Sequence, residues 1–187
     1  MIYKCLINKR IIPISLMYVV LAIVPACSLL DQNNNSPEYA DFSLEDINPN
    51  SPSYGSLIGP SFYNGDVSSY YFGDQGWGLC GSRFGTLNSI YEELVTEGYL
   101  DIKIIGINGI DYIGEDLNNM IENRVLPWVQ DNESASVWNN WQVSLRDFVI
   151  LNPDGEYYYK INLTEFNLSI DANYENIKQL LLDARSD

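Results

Sequence analysis

Val67-Ser68-Ser69-Tyr70-Tyr71-Phe72-Gly73-Asp74-Gln75-Gly76-Trp77-Gly78-Leu79-Cys80-Gly81-Ser82-Arg83-Phe84-Gly85 is the stretch whose reading decides the fold. Val67 to Phe72 is rich in β-branched and aromatic residues and reads as a strand, which Gly73 ends. From Ser82 to Thr96 the apolar positions Phe84, Leu87, Tyr91, Leu94 and Val95 recur at helical spacing. Gly98 stops that helix, as glycine just past a helix end does. Between strand and helix lies a junction loosened by Gly76 and Gly78, and the junction carries Cys80.

The same reading extends to both sides. Asp41 to Gly65 is rich in Pro, Gly, Ser and Asn and predicts an extended, turn-filled lead-in. Ile102 to Ile107 is a β-branched run with the character of a buried strand. A helix is expected over Glu115 to Asn123, a short strand near Leu126-Pro127-Trp128, and a short helix over Ala135 to Trp141. Phe148 to Leu151 reads as a strand, Asn152-Pro153-Asp154-Gly155 as a hairpin turn, and Tyr157 to Ile161 as the return strand. Tyr174, Ile177, Leu180, Leu181 and Ala184 mark one face of a closing helix, with Asp171 as its N-cap. Two βα units followed by a hairpin and a last helix predict an α/β domain, a mixed central sheet with helices on both faces.

The chain opens differently. Lys4, Lys9 and Arg10 precede an apolar run from Ile11 to Val24, which closes in Val24-Pro25-Ala26-Cys27. That is the layout of a signal peptide over residues 1–26. The closing tetrapeptide resembles a lipobox, in which Cys27 is acylated and becomes the mature N-terminus. Val24 and Ala26 also suit ordinary signal cleavage. Residues 27–40, with their asparagine run, then form a lipidated tether, and residues 41–187 the folded domain. The membrane is thus an expected partner through lipid, with the bacterial envelope as location. Ser28 after the cysteine favours the outer membrane or its periplasmic face.

Charge and cysteine usage narrow the function. The whole chain carries a net charge of −15, and the mature domain is more acidic still once the three leader cations leave. Such a surface repels phosphate backbones, which argues against nucleic acid. There is no histidine, so neither an imidazole-based triad nor a histidine zinc site is available. No cofactor or metal is expected. Of the three cysteines, Cys5 belongs to the leader and Cys27 to the lipid. Cys80 is the thiol left to the domain, so an internal disulfide is excluded and any redox partner sulfur must come from another molecule.

Several stretches carry a family resemblance. Phe42-Ser43-Leu44-Glu45-Asp46-Ile47-Asn48-Pro49-Asn50-Ser51 followed by Tyr54-Gly55 resembles the lead-in of bacterial redoxin-type lipoproteins. Tyr71-Phe72-Gly73, Cys80, Arg83-Phe84-Gly85 and Leu87 resemble their active-site strand and helix. Glu97-Gly98-Tyr99, Leu126-Pro127, Val137-Trp138 and Asp147-Phe148-Val149-Ile150 resemble the N-terminal redox domain of selenoprotein P. The resemblance spans Asp41 to Leu182 and implies a thioredoxin-like fold. It also implies a redox pair at the strand-to-helix junction, cysteine or selenocysteine followed by x-x-Cys, where a helix N-terminus favours the thiolate. Here that run is Trp77-Gly78-Leu79-Cys80. Cys80 matches the resolving position and Trp77 stands at the nucleophile position. Where thioredoxins place a cis-proline, this chain has Leu145-Arg146.

The implied activity is thiol redox through Cys80 with an external protein thiol or disulfide. Beside it stand a non-catalytic thioredoxin-like binding module, and a selenoprotein whose selenocysteine codon is printed as Trp77. Cys80 is either a working thiol or a semi-buried cysteine left from a lost pair. Trp77 is either an exposed platform or a plug over Cys80.

Overall fold

The structure is a computed structural model and describes residues 39–186. Its centre is a five-stranded mixed sheet of order β5-β4-β3-β6-β7. The central strand β3 (Val67–Gly73) pairs in parallel with β4 (Ile102–Asn108), and β4 in parallel with β5 (Trp128–Gln130). On the other side, β6 (Asp147–Leu151) runs antiparallel to β3 and to β7 (Tyr157–Asn162). The parallel half needs crossovers, and the 19-residue helix α1 (Gly78–Thr96) supplies the one between β3 and β4. The antiparallel half needs only the turn at Asn152–Gly155, where Gly155 takes a φ of 79°.

Strand alternation divides the core into two layers. Val67 and Tyr71, Ile102 and Ile104, Phe148 and Ile150 face one side, where they meet Phe84, Leu87 and Leu94 of α1 and Ile177 and Leu181 of α4 (Asp171–Asp183). Met120 and Ile121 of the one-turn helix α2 (Asn118–Ile121) join the same layer. Tyr70, Phe72, Ile105, Ile107, Val149 and Leu151 face the other side. Among the described residues helices thus lie on both faces, the second carrying the one-turn α3 (Val137–Asn140) and a 3-10 turn over Pro60–Tyr63. The lead-in covers the rest. Its short strands β1 (Leu44–Glu45) and β2 (Leu57–Ile58) pair antiparallel, and Phe42, Leu44 and Ile58 reach into the core.

That second layer absorbs much of the aromatic content. Trp141 is buried with Tyr39, Phe42 and Tyr70 set edge-on at 5.0, 5.5 and 5.0 Å. Such pairs add about 0.5–1.5 kcal/mol each beyond their buried area. Asn48 pins the lead-in, donating to the carbonyls of Arg124 and Leu126 at 3.1 and 2.7 Å. Asp46 accepts from the Trp128 N–H at 3.2 Å. These bonds explain why an Asn- and Pro-rich stretch is ordered.

Four expectations change in the structure. The first helix begins at Gly78 rather than Ser82, which takes Cys80 into its first turn. Glycine costs about 0.5–1 kcal/mol in a helix through its backbone freedom, and burial of Cys80 and Phe84 in the core offsets that cost. The helix expected over Glu115 to Asn123 shortens to α2, because Asn123 takes a positive φ of 57°. The helix expected over Ala135 to Trp141 shortens to α3, which Ser136 precedes in the left-handed region. Asp171 is the first residue of α4 and Ile170 its N-cap, with no side-chain cap bond. The leader and lipobox, Cys27 included, lie outside the described residues.

Candidate functional site

Strand order reverses at β3: the chain steps outward through β4 and β5 on one side, and β6 and β7 lie on the other. Crevices at the carboxyl ends of strands beside such a change are where open α/β sheets place their sites. The chain leaves β3 there through Asp74-Gln75-Gly76-Trp77 and enters α1. Gln75 is buried and held on every side. Its N–H donates to Asn108 Oδ1 at 3.0 Å, its amide to the Glu115 carbonyl at 2.9 Å, and its Oε1 accepts from the Trp128 indole at 3.3 Å. The junction is therefore fixed from below before residue 77 is reached.

Trp77 is the N-cap residue of α1, with extended backbone, and its carbonyl accepts from the N–H of Cys80 at 2.9 Å. Its side chain is 50% exposed, while Cys80 one turn on is 0% exposed. Residues 77 and 80 thus stand as an outer and an inner group on one helix turn. Gly81, next along, faces Asn119, whose carbonyl would lie 2.7 Å from any added Cβ. Only glycine lets α1 and α2 approach so closely at this point.

Arg146 was visible in the sequence only as a missing proline. In the structure it completes the site. Its backbone lies in the left-handed region at φ 69°, which strains a non-glycine residue. Its N–H donates to the Phe72 carbonyl at 2.7 Å and its own carbonyl accepts from Leu163 at 2.8 Å. These two bonds lock the turn across the end of β3. The side chain then crosses the site: Nε donates to Thr164 Oγ1 at 2.7 Å, Nη1 to Cys80 Sγ at 3.6 Å, and Cζ lies 5.0 Å from the centre of the Trp77 ring. The plug over Cys80 is therefore Arg146, and Trp77 is the layer outside it.

Two further groups belong to this neighbourhood. Tyr71 from β3 donates its hydroxyl to the Cys80 carbonyl at 3.4 Å. Burial pushes the Tyr71 phenol well above its ordinary value; Cys80 adds to the rise, and Arg146 and Arg83 oppose it. Arg83, one turn beyond Cys80 on α1, donates Nε to the Leu163 carbonyl at 2.9 Å. The rim holds Leu79 and Ile113, both exposed, with Tyr112 set edge-on to Trp138. Among the described residues, no group of His, Cys, Asp and Glu side chains is placed to hold a metal.

No family model and no curated protein matches the sequence. Solved structures do match the fold. A Chlorobium tepidum protein assigned as the thiol:disulfide interchange protein DsbE superposes with a TM-score of 0.59 at 14% identity, covering 80% of this chain and 96% of its own. BsSco, of the Sco family of cytochrome c oxidase assembly proteins, gives a TM-score of 0.59 at 14% identity, with 80% and 94% covered. StoA from Bacillus subtilis gives 0.55 at 14% identity, with 77% and 98% covered. Identities this low establish the architecture and leave activity to the residues.

Proposed function

The domain has a thioredoxin-like fold, and we propose that it is a thiol-redox protein of the cell envelope whose chemistry passes through Cys80. The observation that carries this reading is the cation built onto its sulfur. Arg146 holds a strained left-handed backbone and a buried guanidinium against Cys80 Sγ. Strain of this kind, roughly 1–3 kcal/mol, persists where the surroundings enforce it, commonly at working sites.

The reaction is exchange with an external disulfide. The Cys80 thiolate attacks one sulfur of the partner, a Cys80–partner disulfide forms, and the partner's second sulfur leaves as a thiolate that takes up a proton. A thiol from a further molecule then releases Cys80 by the reverse step. Because Cys80 is fully buried, Trp77 and the Arg146 head must first swing outward; the half-exposed Trp77 ring is the layer that moves. The test is peptide mapping of the folded protein after incubation with a small disulfide. A thiol-reversible adduct on the Cys80 peptide is expected, and it should vanish in Cys80→Ser.

A second reading rests on the zero exposure of Cys80 and the exposed Trp77, Leu79 and Ile113 at the same end of the sheet. On it, the domain is a binding module that uses the rim and never opens the thiol. Labelling of Cys80 only after unfolding selects that reading over exchange.

Residue 77 determines the form of the chemistry. Its exposed place at the N-cap, one turn ahead of a buried thiol, suits a nucleophile resolved by Cys80. A UGA codon at position 77 with a downstream hairpin would make the protein a selenol-thiol oxidoreductase; UGG leaves exchange to Cys80 alone. For anchoring, we propose export with acylation at Cys27, facing the periplasm at the outer membrane. Among the described residues no helix is long and apolar enough to cross a membrane. Cys27→Ser should release the protein from the membrane fraction, and continued association would refute the lipid anchor.

A further inference from the structure

We propose that Arg146 is a specificity-determining residue that selects disulfide partners bearing a carboxylate next to the reacting sulfur. This rests on the exchange reading above.

The argument begins with an imbalance of charge. In a chain of net charge −15, acidic side chains are abundant and cations few. Yet Arg146 is 9% exposed and Arg83 6%, and among the described residues neither forms an ion pair with a carboxylate. Buried charges are ordinarily paired, since an uncompensated one is costly to hold away from water. Arg83 is satisfied by a carbonyl at 2.9 Å and approached by the Ser169 hydroxyl at 3.5 Å. Arg146 engages a hydroxyl through Nε and a sulfur through Nη1. Its Nη2 edge has no hydrogen-bond acceptor among the described residues.

The Arg146 guanidinium lies against the Cys80 sulfur, and Arg83 stands one helix turn beyond Cys80. Both act on the Tyr71 phenol, whose hydroxyl contacts Cys80. Asp74 and Asp111 raise the Tyr112 phenol at the rim, where Cys80 also raises it and Arg146 opposes them. The inner site is thus a positive spot inside a negative molecule. A guanidinium fork with free donors matches a carboxylate in bidentate geometry. An incoming carboxylate would draw the Arg146 head from the sulfur and supply the missing counter-charge, opening Cys80 to the adjacent partner sulfur. Partners without the acid leave the head in place. The acidic exterior repels anions generally, so discrimination belongs to this one residue.

Iodoacetate and iodoacetamide test this on the intact folded protein. Both alkylate the same sulfur with loss of iodide, they are nearly equal in size, and only the first carries a carboxylate. Their rate ratio at Cys80 cancels thiolate fraction and general opening, so a merely structural role for Arg146 does not move it. The ratio is expected to fall about tenfold in Arg146→Gln, the order expected for loss of one nearby charge. It should be retained in Arg146→Lys, and in the folded parent it should exceed the ratio that the same two reagents give at Cys80 of the urea-unfolded chain, where the guanidinium is no longer held on the sulfur. If both reagents label the folded parent and its ratio is no higher than that of the unfolded chain, the inference fails whether or not the variants fold. An unchanged ratio in folded Arg146→Gln also overturns it. If neither reagent labels Cys80 in the folded parent, the exchange reading itself fails.

Discussion

Arg146 occupies the left-handed region at φ 69°, and the strain this implies is measurable by truncating it in two ways. Arg146→Ala and Arg146→Gly remove the same contacts: the bond to Thr164, the bond to Cys80 Sγ and the packing on Trp77. What differs is the backbone. A residue with a Cβ loses roughly 1–2 kcal/mol in this conformation, while glycine's greater freedom in the unfolded chain offsets about 0.4–1 kcal/mol of that gain. The glycine variant should therefore be the more stable of the two by about 1 kcal/mol. At ordinary positions the order is reversed. In a domain of this size the gap corresponds to about 2–4 °C in Tm. Urea titrations followed by far-UV circular dichroism measure it without depending on Trp77 emission. Comparison between variants carries the test, because deleting a buried unpaired cation also removes its desolvation cost. An alanine variant as stable as the glycine variant refutes the strained backbone.

Gly106→Ala should cost about 1–3 kcal/mol by overpacking, because the added Cβ would lie 2.1 Å from Trp128 and 2.8 Å from Phe84. Gly78→Ala, with nothing within 4 Å, should stay within about 0.5 kcal/mol, and equal costs in thermal melts would contradict the packing described. Lys178 joins α4 to α1 through Glu93 and Glu97 at 2.8 and 2.6 Å. Hydrogen bonds from Lys178 and Tyr174 hold the Glu93 carboxyl below its ordinary value of 4.5, so its contribution is complete above that pH and fades as pH falls through the lowered folded value. Lys178→Met should flatten the acid limb of Tm against pH, and identical limbs would exclude the clamp. Trp77→Cys should form an internal disulfide with Cys80, since Cα atoms three residues apart on a helix turn lie about 5 Å apart, within bridging range; free thiols at both positions after mild oxidation, counted by mass spectrometry, would exclude that geometry.

The sheet was legible because its strands are long and chemically uniform. Ile102 to Ile107 and Phe148 to Leu151 admit few other readings, and the helix after Cys80 shows in its periodicity. The turn-filled character of the lead-in was legible, but what orders it was not. Its order depends on Asn48 and Asp46 reaching carbonyl and N–H groups some eighty positions away, and nothing local in an Asn-Pro-Asn-Ser run announces such partners. The short helices α2 and α3 were overextended for a related reason. Asn123 and Ser136 take positive φ, and neither identity forces that conformation. Cys80 and Trp77 stand out in the sequence by their motif spacing. Arg146 was missed because its role arises from a backbone turn locked by Phe72 and Leu163, far apart in the chain. The usable signal was an arginine, in a cation-poor chain, immediately before β6 (Asp147–Leu151).

The three residues at the site are coupled by geometry rather than by proximity alone. The Arg146 side chain is anchored at one end on Thr164 and rests at the other on the Trp77 ring, and Cys80 Sγ lies beneath that span. A cation over an exposed aromatic face gains about 0.5–1 kcal/mol, enough to favour the closed arrangement and small enough for a binding partner to overcome. A smaller group at position 77 would remove that support and leave the guanidinium facing residue 77 and Cys80 together. On the proposed exchange, the Arg146 charge would lie against the Cys80 sulfur as that atom takes up negative charge on release from the mixed disulfide. The strained turn at residue 146 would then hold the charge at the one place where the reaction uses it, and a folded Arg146→Gly variant that exchanges as fast as the parent would remove that reason for the strain.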